Sequence, residues 1–315
     1  MTTFHDADPL THMASGQWIL ETQIARGRFS DVYRAHHGES GKTAVAKILR
    51  NDLEDPKEGD RALAREYDAL GSFQHPGIPQ VIKRCDFSGR KALLMAYCPG
   101  HHMLRLVKEV PQFDRIGVLR ALARMLAHVH DRGYVHGDVC LENVLMAATG
   151  RVYLTGFSNA RREMSAGSEI ITRVFRKKTH TGGPFTYLAP EIMGAKAQTQ
   201  KSDIFAFGVC AFLMLCKRRP YPVKSKEIYL QLAERGERAD ILRYHPGMPR
   251  SFAGILNRCV TMDAASRIPH GRELSENFDV FFARKDSPPS TELSRLFQPK
   301  VKTEDQKEED IHWMD

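Results

Sequence analysis

The chain has 315 residues, of which 42% are hydrophobic and 27% charged, and a formal net charge of +8. That balance describes a globular soluble chain, long enough for a two-lobed domain with short tails. Its longest apolar run, Ile204 to Cys216, falls short of the roughly 20 residues that span a bilayer and suits a buried core helix.

Residues 1 to 16 carry neither a basic start nor an apolar run, so no signal peptide is expected. Six cysteines (Cys85, Cys98, Cys140, Cys210, Cys216, Cys259) form no C-x-x-C pair and read as reduced thiols. An intracellular protein, cytoplasmic or nuclear, is the expectation. Thr303 to Asp315 holds six acidic residues and one Lys, so the remainder is more basic than the total suggests. A basic surface attracts acidic partners, but no aromatic-interleaved basic motif points to a specific nucleic acid.

In chain order, Trp18 to Arg34 reads as a strand, a turn centred on Gly27 and a second strand carrying Val32. Backbone N–H groups of such a turn can approach phosphate. Lys47 lies in the β-rich run Thr43 to Leu49. Leu63, Glu66, Tyr67, Leu70 and Phe73 then recur at helical spacing, which puts Glu66 on an apolar face. A carboxylate there needs a counter-charge, and Lys47 supplies it. Ala92 to Cys98 reads as a buried strand entering a hinge at Pro99-Gly100, followed by a helix with Leu119, Leu122, Leu126 and Val129 on one face.

The polar stretch Tyr134 to Leu145 places Asp138 and Asn143 five positions apart, with His136 two before the Asp. After the apolar strand Val152-Tyr153-Leu154 comes Thr155-Gly156-Phe157-Ser158. From Gly156 to Glu191 runs a 36-residue segment rich in Arg and Lys, with Ser165, Ser168, Thr172 and Thr179 among them, closing on Ala189-Pro190-Glu191. Asp203 opens the long apolar run, and Arg267 ends the stretch from Cys259.

These segments resemble, in order, the Gly-rich loop, the V-A-I-K strand, the helix Glu, the H-R-D-x-x-x-x-N catalytic loop, D-F-G and A-P-E of eukaryotic protein kinases. The likeness runs from about Trp18 to Arg284. It implies an α+β, bilobal kinase fold with a small antiparallel β N-lobe bearing one regulatory helix, and a larger, mainly helical C-lobe. The expected layout is an N-terminal extension over 1–16, a kinase-like domain over 17–285 (N-lobe about 17–98, C-lobe about 99–285), and a disordered tail over 286–315 with an acidic end.

Carried over residue by residue, the resemblance assigns catalysis to Asp138, Asn143, Lys47 and Glu66. It assigns ATP contacts to Gly27, Val32, Val45, Lys47, Met95, Tyr97, Cys98 and Leu145. It also implies that Arg267 pairs with Glu191. Asn143 is the metal ligand that remains, because Gly156 replaces the Asp of D-F-G. Further departures are Gly137 for the Arg and Cys140 for the Lys of the catalytic loop, Pro184 for the substrate-loop Thr, Val45 for the Ala over the adenine, and Ala25 and Ser30 for two loop glycines. A pseudokinase of the Ser/Thr-like branch is expected, with ATP as ligand, Mg²⁺ weak or absent, and a protein partner. The alternatives are a low-activity or metal-sparing Ser/Thr kinase and a nucleotide-free interaction scaffold.

Overall fold

The computed structural model describes residues 10, 12–110, 112–163, 187–194, 196–222, 225–284 and 287–297. The expectations for Ser165, Ser168, Thr172, Thr179 and Pro184 fall outside them. The chain divides into two compact units, one comprising residues up to Pro99 plus Phe157–Asn159, the other Gly100–Gly156 plus the chain from Ala160 onward.

The first unit is an antiparallel six-stranded sheet with one helix. Its strands β1 (Ala14–Ser15), β2 (Trp18–Arg26), β3 (Ser30–His37), β4 (Thr43–Leu49), β5 (Val81–Phe87) and β6 (Arg90–Ala96) lie in the order β1-β2-β3-β4-β6-β5. Burial along β4 alternates residue by residue, the period of two that lets one face pack while the other stays open. Leu20, Tyr33, Ala35, Ala44, Ala46, Ile48, Phe87 and Leu94 form the packed side.

Helix α1 (Pro56–Gly71) starts where Asp55 accepts the Glu58 N–H and Pro56 takes a position that needs no donor. Of the predicted face, Leu63, Glu66 and Leu70 are buried, joined by Ala62 and Ala69, and Phe73 is buried just beyond the helix, while Tyr67 is half-buried.

The second unit is mainly helical. It contains β7 (His101–His102), α2 (Met103–Glu109), α3 (Arg115–His130), β8 (Tyr134–Val135), β9 (Val144–Met146), β10 (Val152–Leu154) and β11 (Arg161–Arg162). These are followed by α4 (Pro190–Met193), α5 (Gln200–Cys216), α6 (Lys226–Glu234), α7 (Arg250–Cys259), α8 (Gly271–Ala283) and α9 (Ser290–Arg295). The apolar run forms α5, buried on all sides from Ser202 to Leu215. Thr199 and Ser202 close its start with a reciprocal capping box.

Arg267 pairs bidentately with Glu191, at 2.7 and 3.2 Å, and lies 4.9 Å over the Phe205 ring. That pairing was legible in the sequence.

Two boundaries differ from expectation. The N-terminal extension does not stop short of the domain: β1 pairs with β2, and Leu10 is buried in the sheet's apolar cluster. The tail is not disordered from 286, because residues 287–297 include α9, and Leu293 within it and Phe297 just beyond it are buried. Ser290 and Ser294 both donate to the Asp114 carboxylate that caps α3, and Ser294 Oγ accepts the Ile116 N–H. Pro288-Pro289 and the acidic end marked this stretch as polar chain, but two apolar anchors and two hydroxyls are enough to dock it. The acidic stretch from Thr303 lies outside the described residues.

Candidate functional site

In the first unit, Lys47 Nζ lies 2.5 Å from Glu66 Oε1, with the two side chains 17% and 2% exposed. Strand β4 and helix α1 thus bring together the two residues the spacing joined. Val32 pairs in register with Lys47, and Val45 with Met95, so these residues line one stretch of the sheet beside the Lys.

The Gly27 turn closes through its N–H to Ser30 O at 2.8 Å. Arg50 holds it from outside, donating to Gly27 O and Arg28 O while pairing with Asp52. No motif points to Arg50, whose carbonyl partners in the turn lie more than twenty positions upstream. Beyond β6, Tyr97 lies 5.8 Å beneath Arg34, and burial pushes the Cys98 thiol up to about 12. Phe157, fully buried, packs on Phe73 with ring centroids 5.4 Å apart, and Arg65 donates to Ser158 O.

In the second unit the loop after β8 is held by its backbone. Asp203, buried at the start of α5, accepts the N–H groups of His136 (2.6 Å) and Gly137 (2.9 Å) and the ring N–H of His130 (3.1 Å). His130 Nδ1 accepts the Gly271 N–H, so its proton sits on the Nε2 that faces Asp203. Burial alone would raise the Asp203 pKa, but the His130 hydrogen bond, the nearby histidines and the Gly137 N–H together hold it below its ordinary value.

His136 is fixed in the same way. Its Nδ1 accepts the Asp138 N–H, so Nε2 donates to Thr155 O at 3.0 Å. Gly137 has φ +80°, a left-handed conformation that glycine adopts without strain. Its carbonyl accepts Gln198 Nε2 at 2.9 Å, and Arg161 anchors Gln198 through its side-chain and backbone oxygens. Sequence reasoning missed this clasp, in which position 137 is held with no side chain of its own.

Asp138 and Asn143 meet: Asn143 Nδ2 donates to Asp138 O at 2.8 Å and to Oδ2 at 3.0 Å. Thr155 donates twice to Asn143 O. Gly156 follows with φ +82°, and a Cβ there would lie 2.4 Å from Asn143 Cγ and Nδ2. Cys140 is buried, and burial, with Asp138 and Glu142 adding to it, pushes its thiol well above the usual range. It is a neutral core group at the position where the kinase catalytic loop carries a Lys. Tyr187 bridges this loop, donating to Glu142 Oε2 and accepting the Leu141 N–H. Leu145 lies in β9, opposite Tyr153 and His102.

Fold and loop together define the protein-kinase class. The chain belongs to the protein kinase family, whose domain pattern matches residues 18–278. It is similar to serine/threonine-protein kinase PrkC of Bacillus subtilis, 24% identical over 274 residues, covering 85% of this chain and 41% of that protein. It is 25% identical over 274 residues to serine/threonine-protein kinase 33 of Bos taurus, covering 81% of this chain and 53% of that protein. Aurora kinase C of Mus musculus is 24% identical over 276 residues, covering 82% of this chain and 96% of that kinase. The chain therefore spans about half the length of PrkC and kinase 33 and nearly all of Aurora kinase C.

Kinases of this family use ATP with Mg²⁺, and the residues at the two metal-ligand positions here are Asn143 and Gly156. Magnesium takes near-octahedral oxygen ligands, commonly one or two carboxylates plus phosphates. Position 156 offers no carboxylate, while Asn143, held through its Nδ2 to Asp138, keeps its Oδ1 as an oxygen that a cation could take.

Proposed function

We propose that this chain is a pseudokinase of the Ser/Thr-like branch, binding ATP but transferring phosphoryl poorly, and acting as an intracellular scaffold or allosteric partner of another protein. The observation that carries this reading is the pair Gly156 and Asn143. Where a metal-binding carboxylate would stand there is only backbone, and the Asn amide fills the space in front of it.

Phosphoryl transfer depends on positioning and charge stabilisation. A metal acting as Lewis acid contributes several kcal/mol, and each 1.36 kcal/mol is tenfold in rate. Absence of the carboxylate and of a cation at Cys140 is expected to slow transfer by roughly 10²- to 10⁵-fold. Gly27, Val32, Val45, Lys47, Met95, Tyr97, Cys98 and Leu145 are the nucleotide contacts on this reading, with Lys47, oriented by Glu66, as the phosphate contact.

The intact Lys47–Glu66 pair favours one competing reading, a metal-sparing kinase of low activity in which Asp138 still acts as base. ATP affinity with and without Mg²⁺, measured beside peptide phosphorylation, separates the two. Metal-indifferent binding without transfer supports the pseudokinase. Turnover of about 1–100 s⁻¹, the ordinary kinase range, abolished by Asp138→Asn, overturns it. Absence of any ATP binding points instead to a nucleotide-free scaffold.

A further inference from the structure

Lys217, Arg218, Arg243 and Arg250 are all exposed in the second unit. They gather about one short turn. Lys217 and Arg218 follow the end of α5, and Arg218 lies 6.0 Å over the ring of Tyr244, the neighbour of Arg243. Arg243 and Arg250 both act on the carboxylate of Asp240.

None of the four forms an ion pair among the described residues, whereas other arginines of this unit do: Arg258 with Glu273, Arg272 with Asp131, Arg120 and Arg124 with Asp279. Asp240 is the only acid between Arg238 and Arg250, and it accepts from Asn257 and the Leu242 N–H. Arg250 opens α7, the helix end where a cation is unfavourable. The surface therefore carries charge that its own fold does not neutralise.

It also carries apolar area, since Tyr244 is 39% and Leu296 48% exposed. Phe297, the last described residue, packs edge-on against His245 at 4.6 Å between centroids. The chain thus leaves the described fold beside this surface. Six residues further on begins Thr303 to Asp315, with Glu304, Asp305, Glu308, Glu309, Asp310 and Asp315, and with Ile311, Trp313 and Met314 among them. The eleven residues from Phe297 to Glu308 reach about 36 Å when extended, ample to return across one turn and two helix ends.

We propose that Thr303–Asp315 folds back onto this surface, its carboxylates meeting Lys217, Arg218, Arg243 and Arg250 and its apolar residues covering Tyr244 and Leu296. An acidic partner for the same patch must then displace the chain's own segment. The proposal is independent of the pseudokinase reading, because none of its residues belongs to the nucleotide or loop clusters.

The test uses the full chain carrying Trp18→Phe, which leaves Trp313 as the sole tryptophan, with a free Val301–Asp315 peptide as reference. At low salt the Trp313 emission is expected to be blue-shifted from that of the peptide, independent of protein concentration. The shift is lost in 1 M NaCl, where the Debye length is about 3 Å, and in the Arg218→Glu/Arg243→Glu variant. A parallel measurement keeps Trp18: amide exchange over 240–246 speeds up in Glu308→Lys/Glu309→Lys/Asp310→Lys relative to wild type. Emission matching the free peptide at low salt, or exchange unchanged by the charge reversal, overturns the proposal. A shift that grows with protein concentration assigns the surface to a second copy and also overturns it.

Discussion

Glu66 is the more deeply buried partner of Lys47, at 2% exposure against 17%. The two ends of the ion pair are therefore not equivalent. Removing the ammonium leaves a carboxylate inside the fold, whereas neutralising the carboxylate leaves an ammonium with partial access to water. Lys47→Met is expected to cost about 3–5 kcal/mol, as when a buried pair loses one partner, and Glu66→Gln distinctly less. Urea denaturation of both variants checks the order, and equal losses would contradict it.

Gly156→Asp does not restore a metal site by simple addition. The left-handed φ of +82° and the 2.4 Å approach to Asn143 require Asn143 to turn away from Asp138. The strained backbone alone costs about 1–2 kcal/mol. The expected outcome is a lower Tm, ATP binding that becomes sensitive to Mg²⁺, and no recovery of ordinary turnover, since Cys140 remains a buried neutral thiol. Calorimetry with a peptide assay reads all three.

Arg267 is enclosed by its partners: Glu191, the carbonyls of Thr261, Lys201 and Met262, and the Phe205 ring. Arg267→Lys keeps the charge but loses the fork and the stacking. Both Arg267→Lys and Arg267→Ala should therefore destabilise, the second by about 3–5 kcal/mol. A Lys variant as stable as wild type would show that charge alone suffices.

The Asp203 carboxyl has a folded-state pKa below its ordinary 3.8, so it adds stability at neutral pH that persists down to about pH 4. That contribution is withdrawn as the pH falls through the lower, folded value. Asp203→Asn should flatten the acid limb of the stability curve. At pH 7 it should lose about 3 kcal/mol or more, because buried N–H donors of the loop lose an acceptor. Denaturation midpoints from pH 2 to 7 for the two proteins decide this.

What the sequence made legible was whatever a fixed spacing carries. Lys47 and Glu66 lie on a strand and a helix face whose periodicity aims them. Asp138 and Asn143 share one loop, and Glu191 and Arg267 are paired by the order of motifs. The clasp on Gly137 was not legible, since Gln198 lies 61 positions away and a glutamine among polar neighbours carries no periodic signal. The docking of α9 escaped for a related reason. Composition measures whether a stretch can bury much surface, and here the anchoring rests on Leu293, Phe297 and two serines bonded to an acid some 180 positions earlier.

That docking separates evolutionary and mechanical boundaries. Family likeness ends at residue 278, yet the start of α3 is completed only by Ser290 and Ser294. A protease cutting between Ala283 and Ser290 would not trim a loose end. It would remove the hydroxyl that receives the Ile116 N–H and unroof the berths of Leu293 and Phe297. Helices α3 and α9 thus behave as one fastening, and the fragment left by such a cut should age, aggregate and be cleared as an unfinished fold.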